Sequence, residues 1–197
     1  MGKQRLEAFS DGVIAIIITV MVLEMKVPHG TDWVDLGPMI PVFLSYALSF
    51  IFLGIYWSNH HHLCQAIRQV NGPTLWANLH LLFWLSLIPF VTSWMGETHF
   101  AARPVAAYGV VMLLAAVAYY ILARVLVALH GKDSPIAVAL GRDFKGKISV
   151  VLYAVAIPLA FLTPAVACAM YVLVAVMWLI PDRRIEAVLT EPGHAGG

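Results

Sequence analysis

The sequence predicts an all-α, polytopic membrane protein with six transmembrane helices. Three observations predict this class. Apolar residues make up 61% of the 197 residues and charged residues only 12%, whereas a soluble domain carries about a quarter charged residues. The apolar residues form runs long enough to cross a bilayer. The basic residues gather in alternate connections between these runs, as the positive-inside rule describes.

The boundaries of the spans follow from the need for about 20 apolar residues per crossing. The last run is too long for one helix and is interrupted at Thr163-Pro164, which predicts two short helices joined by a tight turn. The first run carries Glu7 and Asp11 and lacks a small-x-small cleavage site, so we interpret it as a retained span. We predict one domain over residues 1–190, spans at approximately 5–26, 37–60, 74–95, 104–129, 148–162 and 164–180, and a disordered tail at 191–197.

The distribution of Lys and Arg predicts that both termini lie in the cytoplasm. With the N-terminus inside, the outer segments contain only Lys26 and Arg103. The cytoplasmic segments contain nine basic residues: Lys3, Arg5, Arg68, Lys132, Arg142, Lys145, Lys147, Arg183 and Arg184. The longest connection, 130–147, contains four of these, which favours contact with lipid headgroups.

Charge and motif content exclude several classes of function. The formal net charge of +1 offers no basic face for a nucleic acid. The sequence contains no Ser/His/Asp triad, phosphate-binding loop or Rossmann fingerprint, so we expect no enzyme and no cofactor. Cys64 and Cys168 lie outside any CxxC or zinc pattern, and we interpret both as buried free thiols.

The first span contains an acidic residue, Asp11, about two turns from its start. An ionisable group within a span is costly and is by default a hypothesis of function. Asp11 either tethers the span to a neighbouring helix or contacts an ion directly. Because charges within membranes usually pair, the sequence favours the tether.

The first span also has one apolar stripe. At 100° per residue, Asp11 points roughly 140° away from Ile16, so if the stripe lines a lumen, Asp11 faces the protein. Near the outer end, Glu24 either concentrates cations at a pore mouth or is a solvated acid beside Lys26. The stripe consists of Phe9, Ile16, Val20 and Leu23, with the hydroxyl of Thr19 on its flank.

Span 3 offers a partner for Asp11. It enters the membrane from the same side as span 1, so His80 lies at a depth similar to that of Asp11. We predict an Asp11–His80 hydrogen bond between the two spans, which would satisfy both polar groups in lipid. Trp84, one turn beyond His80, is predicted to pack on the same face.

Span 2 closes with three consecutive histidines, His60, His61 and His62. Such a run suggests a metal site or a proton relay. Consecutive helical positions point in three directions, however, and we expect no carboxylate beside them. We therefore interpret the run as a polar cluster at the membrane interface and predict no metal site.

The pattern Arg5-x-x-x-Phe9-Ser10-Asp11 followed by an apolar span resembles the defining motif of the transmembrane protein 175 family, the endolysosomal and bacterial potassium channels. The ending Trp57-x-x-His60-His61 of span 2, the long span 3 and the paired short spans 5 and 6 also resemble that family. The resemblance covers nearly the whole chain.

The resemblance implies a six-span subunit whose first helix lines a central pore, assembled as a homotetramer in a bacterial plasma membrane. It implies a potassium-permeable channel with a constriction at Ile16, a contribution of Thr19 to cation preference, and further pore-facing positions at Val20 and Leu23. Val20 stands where some members have the longer Leu, so the resemblance implies a wider pore there. The sequence contains no Thr-Val-Gly-Tyr-Gly carbonyl filter, so selectivity for K⁺ over Na⁺ should be modest.

A proton-coupled transporter is the competing class, with Asp11, His60, His61 and His80 as a relay. A transporter of this class is expected to contain a broken helix in each half of the chain and a charged site at the midplane of the membrane. Span 1 contains no proline and the midplane is nearly free of ionisable groups. A membrane metalloenzyme, a third class, fails on the geometry of its ligands.

Overall fold

The computed structural model describes residues 2–131, 134, 136–137 and 144–180, and the regular elements of these ranges are all helical. The elements are α1 (Lys3–Leu23), a 3₁₀ helix (Trp33–Met39), α2 (Ile40–Ala66), α3 (Gly72–Ser86), α4 (Ile88–Glu97), α5 (Ala102–His130), α6 (Phe144–Ala160) and α7 (Pro164–Leu179). The predicted tail, 191–197, and half of the 130–147 connection lie outside the described residues.

The described helices confirm an all-α polytopic fold. Helices α3 and α4 follow each other as one apolar segment, which gives six helical segments in the described ranges. Four of the six are long and apolar enough to cross a membrane: α1, the 3₁₀ helix with α2, α3 with α4, and α5. Helices α6 and α7 have 17 and 16 residues, or about 25 Å each, which is shorter than the ~30 Å hydrocarbon core. Six complete crossings therefore stay a prediction.

Prolines mark the breaks between helices. Helix α3 ends before Leu87 and α4 begins with Pro89 in its first turn, where a missing N–H is tolerated. Pro164 opens α7 in the same way after the turn that follows α6. The start of α3 is capped by Asn71, whose side-chain oxygen accepts from the backbone N–H of Thr74 at 3.0 Å.

Contacts between helix ends define one end of the bundle. Lys3 Nζ donates to the carbonyl of Gln65, which joins the start of α1 to the end of α2. The N–H of Arg68 donates to Nε2 of His130 at the end of α5, and the start of α6 meets the end of α7. We call this the basal end: α1, α3 and α6 begin there, and α2, α5 and α7 end there.

Helix α5 is the centre of the packing, with α3 on one side and α6 on another. Its buried positions include several small residues, which let neighbouring helices approach closely. At Gly109, the hydroxyl of Tyr171 occupies the space that a side chain would need, and that hydroxyl donates to the carbonyl of Val105 at 3.0 Å. Helix α1, by contrast, packs mainly on α2, α3 and α4, so it lies at the edge of the bundle.

Candidate functional site

Helix α1 has one buried and one exposed face in the single chain. Leu6, Ser10, Ile14, Ile17 and Met21 recur at helical spacing and are buried. The predicted pore residues lie on the exposed side, where Ile16 is 63% and Leu23 is 80% exposed. The edge position of α1 therefore leaves a stripe of large apolar side chains uncovered: Phe9, Ile16, Val20 and Leu23.

Thr19 adds a polar group to this exposed stripe. Its hydroxyl donates to the carbonyl of Ile16, one turn earlier, at 2.9 Å. Because the proton is used within the helix, the hydroxyl oxygen keeps lone pairs that can accept from water or contact a cation.

A groove of about 690 Å³ runs beside the exposed stripe, between α1 and the α3–α4 segment. Ile16, Val20 and Glu24 line it from α1, and Phe90 and Trp94 line it from α4. In a membrane, apolar surface that the single chain leaves open is covered either by lipid or by another helix.

A chain of buried hydrogen bonds fixes the opposite face of α1. The hydroxyl of Ser10 donates to the carbonyl of Leu6 and accepts from Nδ2 of Asn78 on α3, both at 2.9 Å. The Oδ1 of Asn78 accepts from Nε2 of His60 on α2 at 2.8 Å. Nδ1 of the same ring lies 3.7 Å from the thiol of Cys64. Ser10, Asn78 and His60 are all buried, so this chain joins three helices at one depth.

The predicted Asp11–His80 hydrogen bond is wrong. Asp11 Oδ1 accepts from Nε1 of Trp57 on α2 at 3.0 Å. His80 instead accepts from Nε1 of Trp84, one turn along its own helix, at 2.9 Å. Matching depth had suggested α3 as the partner of Asp11, but the rotation of α1 turns Ser10 toward α3 and Asp11 toward α2.

The expectation that no carboxylate lies beside the histidines is also wrong. Nδ1 of His61 donates to Oε1 of Glu7 at 3.0 Å, and Nε2 of the same ring accepts from the amide of Gln65 at 2.8 Å. His60 belongs to the buried chain, while Nδ1 of His62 has no hydrogen-bond partner among the described residues. The three imidazole rings therefore lie in three different environments. The described ranges contain no group of three possible metal ligands.

A repeat of one helical turn on both helices explains these contacts. Glu7 and Asp11 are four residues apart on α1, and Trp57 and His61 are four residues apart on α2. Residues at this spacing share a face, so the two antiparallel helices pair Asp11 with Trp57 and Glu7 with His61. This double spacing was the sequence signal for the contacts.

Two other predicted site residues lie apart from these contacts. Arg5 is exposed near the start of α1, and within the described contacts no side-chain hydrogen bond joins it to Asp11 or His80. Phe9 is half exposed at the basal end of the stripe.

At the opposite end of α1, an exposed ion pair joins it to α4. Nζ of Lys26 lies 2.9 Å from Oε1 of Glu97. The hydrogen bond and the charge of Glu97 raise the pKa of Lys26, and solvent screening keeps the contribution of such a pair to stability small. Glu24 lines the groove nearby, so acidic groups from two helices lie around the end of the exposed stripe.

The Asp11–Trp57 contact predicts energetic coupling. We expect Asp11→Ala and Trp57→Phe together to destabilise the protein by about 1 kcal/mol less than the sum of the single effects, because each substitution removes the same hydrogen bond. SDS-induced unfolding of the purified variants measures this. Asp11→Ala with His80→Ala is the matched control and should be additive. Coupling in the control pair alone would contradict the observed partner of Asp11.

Comparison with known proteins decides the family. A family model described as the endosomal/lysosomal potassium channel TMEM175 matches residues 5–89, which contain α1 from Arg5 onward, α2, α3 and the hydrogen bonds that join Ser10, Asn78 and His60. A protein named as a potassium channel from Chryseobacterium sp. (strain P1-3) is 54% identical over 191 residues, covering 97% of this chain and 100% of that protein. This chain belongs to the TMEM175 family.

Other TMEM175 relatives match shorter stretches. A protein named as a potassium channel from Streptomyces collinus is 36% identical over 126 residues, covering 58% of this chain and 60% of that protein. The Bos taurus protein named as the endosomal/lysosomal proton channel TMEM175 is 38% identical over 85 residues, covering 37% of this chain and 18% of that protein.

The fold agrees with a solved TMEM175 structure. The crystal structure of a lysosomal potassium-selective channel TMEM175 homolog from Chamaesiphon minutus matches with a TM-score of 0.76 and 26% identity, covering 90% of this chain and 96% of that chain. The resemblance inferred from the Arg5-x-x-x-Phe9-Ser10-Asp11 motif is confirmed. The protein is a multi-pass membrane protein of a channel family, and its bacterial relatives point to the plasma membrane.

Proposed function

We propose that this protein is a potassium-permeable cation channel in which four copies of α1 surround a central pore. The observation that carries the proposal is the exposed apolar stripe of α1, on a helix that is long enough to cross a membrane and lies at the edge of its own bundle. Two bacterial relatives are named as potassium channels, which supports the same activity for this chain.

The buried hydrogen bonds support the orientation of the pore helix. Ser10 and Asp11 hold one side of α1 against α3 and α2, so the stripe is the side that remains for contact with other copies. One subunit with α1 at its edge cannot enclose a lumen, whereas a homotetramer places four such helices around one axis. The only partners proposed are the other subunits, membrane lipid and the permeant K⁺.

Ile16 is proposed as the constriction. A ring of branched apolar side chains narrows the lumen and resists wetting, which is how hydrophobic constrictions gate. Thr19, one turn beyond, contributes four oxygens that can contact a dehydrating cation, since its proton is held by the carbonyl of Ile16. A narrow neck followed by hydroxyl oxygens gives a modest preference for K⁺ over Na⁺. Val20 and Leu23 continue the lumen, and the basal end faces the cytoplasm.

Ion flux from liposomes containing the purified protein tests the function. We expect K⁺ gradients to drive flux that exceeds Na⁺ flux, with no requirement for a proton gradient. Flux of K⁺ only when a proton gradient is imposed would instead identify a proton-coupled transporter. Flux is also measured with an H⁺ gradient alone, because vertebrate relatives are named as proton channels.

Crosslinking tests the assembly. In a variant with Cys64 and Cys168 replaced by alanine, we expect Leu23→Cys to form disulfide-linked pairs of subunits, since 80% of this side chain is exposed and the four copies converge on the axis. One thiol per subunit links two subunits at most, so the mass of the intact assembly in mild detergent gives the number of subunits, which we expect to be four. Leu173→Cys, on the exposed side of α7, is the matched control and should not form these pairs. A conducting protein that remains monomeric in mild detergent would rule out the shared pore.

A further inference from the structure

A second cavity, of about 420 Å³, lies among α2, α5, α6 and α7, and none of the residues that line it comes from α1. Its size lies within the range of about 300–1,000 Å³ that is usual for small-molecule sites. Close packing is the rule inside proteins, so a cleft of this size in a membrane bundle is expected to hold a ligand or lipid rather than remain empty.

The lining of this cavity changes from polar to apolar along the bundle. Asn59, Lys147 and Trp178 lie near the basal end of their helices, whereas Phe52 and Tyr153 lie deeper. Tyr153 is six residues beyond Lys147, or ~9 Å along α6, and Phe52 is ~10 Å from Asn59 along α2. The cavity is therefore elongated, with a cationic mouth and an apolar interior.

Only one of the two lysines on this turn of α6 lines the cavity. Lys145 donates to the carbonyl of Ile180 at 2.8 Å and lies over the ring of Trp178, 5.9 Å from its centroid. Trp178 in turn donates to the hydroxyl of Ser149 at 2.9 Å. Lys147 is exposed and lines the cavity. The contacts of Lys145 hold the wall in place, and Lys147 presents its charge to a ligand at the mouth.

We propose that this cavity binds an anionic glycerophospholipid, with the phosphate of the headgroup at Lys147 and one acyl chain along the apolar interior. A cation at the membrane surface attracts anionic headgroups, and an apolar cleft that opens next to it accepts the chain attached to that headgroup. A water-soluble phosphate compound would leave the apolar interior unfilled. The proposal is independent of the pore, because lipid retention is measured without ion flux.

Native mass spectrometry of the purified protein, equilibrated in mixed micelles with equal phosphatidylglycerol and phosphatidylcholine, tests the site. We expect the wild-type protein to retain phosphatidylglycerol in preference to phosphatidylcholine. Lys147→Gln should lower that preference roughly fivefold, the effect of one basic residue near an anionic headgroup. Arg68→Gln removes one positive charge from an exposed position at the basal end but not from the cavity, so it should keep the preference.

A second pair of variants tests the acyl-chain position. Ala116→Phe fills the cavity from α5 and should reduce retention of both lipids. Val110→Phe, at an exposed position of the same helix outside the cavity, should not. Circular dichroism checks folding, and if Ala116→Phe does not fold, Val117→Phe takes its place.

Four results would overturn the proposal. Equal losses from Lys147→Gln and Arg68→Gln would indicate a diffuse basic surface. Equal retention of the two lipids by the wild type would remove the headgroup assignment. Full retention by the cavity-filling variant would place the acyl chain elsewhere. Retention of detergent alone would show an adventitious additive only.

Discussion

Replacing Asn78 with leucine is expected to destabilise the protein by about 1–3 kcal/mol, because a buried polar group loses its partner. This group is Nε2 of His60, whereas the hydroxyl of Ser10 keeps its bond to the carbonyl of Leu6. The lost hydrogen bonds themselves contribute only about 0.6 kcal/mol each within a membrane, so the desolvation of the stranded imidazole dominates. SDS-induced unfolding of the purified variant measures the loss.

Two further variants separate this effect from a general sensitivity of α3 to substitution. Ser86→Ala removes an exposed hydroxyl from the same helix, whose one hydrogen bond among the described residues is to the carbonyl of Phe83, so it should change stability by less than about 0.5 kcal/mol. Combining Asn78→Leu with His60→Leu should cost less than the sum of the two single variants, because no stranded imidazole remains. Unchanged stability of Asn78→Leu would contradict a structural role for this chain of hydrogen bonds.

Replacing Ile16 with asparagine is expected to raise cation flux and to weaken the preference for K⁺ over Na⁺. A ring of amides wets more readily than a ring of branched apolar side chains. Lowering the barrier by about 1.4 kcal/mol already raises a rate about tenfold, so we expect an increase of at least that order. Liposome flux with K⁺ and with Na⁺ measures both effects.

The matched control for Ile16→Asn lies on the same helix. Val22 is also exposed but points about 120° away from Ile16 at 100° per residue. Val22→Asn should therefore leave flux near that of the wild type. Equal gains in the two variants would indicate a general loosening of α1 rather than a constriction at Ile16.

The class of fold was predictable from composition and from the length of the apolar runs. With 61% apolar and 12% charged residues, the chain can satisfy its backbone groups in lipid only as helices or a closed barrel, and runs of about 20 apolar residues select helices. The family was predictable from Arg5-x-x-x-Phe9-Ser10-Asp11, and both inferences are confirmed. The roles of Ile16 and Thr19 stay predictions, because a single chain contains no lumen.

The partner of each polar group was not predictable in the same way. Depth placed Asp11 level with His80, since 1.5 Å per residue converts position along a helix into height. Height does not say which neighbour a side chain faces. The neighbour that a side chain faces depends on how α1 is rotated about its axis relative to α2 and α3. In this rotation, Asp11 bonds to Trp57 and Ser10 bonds to Asn78. The carboxylate beside His61 was missed for the same reason.

The sequence by itself determined the membrane class, the family and the periodic stripe of α1, because composition and helical spacing are properties of one segment at a time. Only the tertiary structure decided the contacts between segments: the buried chain from Ser10 to His60, the pairing of Glu7 with His61, and the cavity that ends at Lys147. Each of these depends on the mutual rotation and distance of two or more helices. Both are set by packing across the whole bundle, to which every span contributes at once.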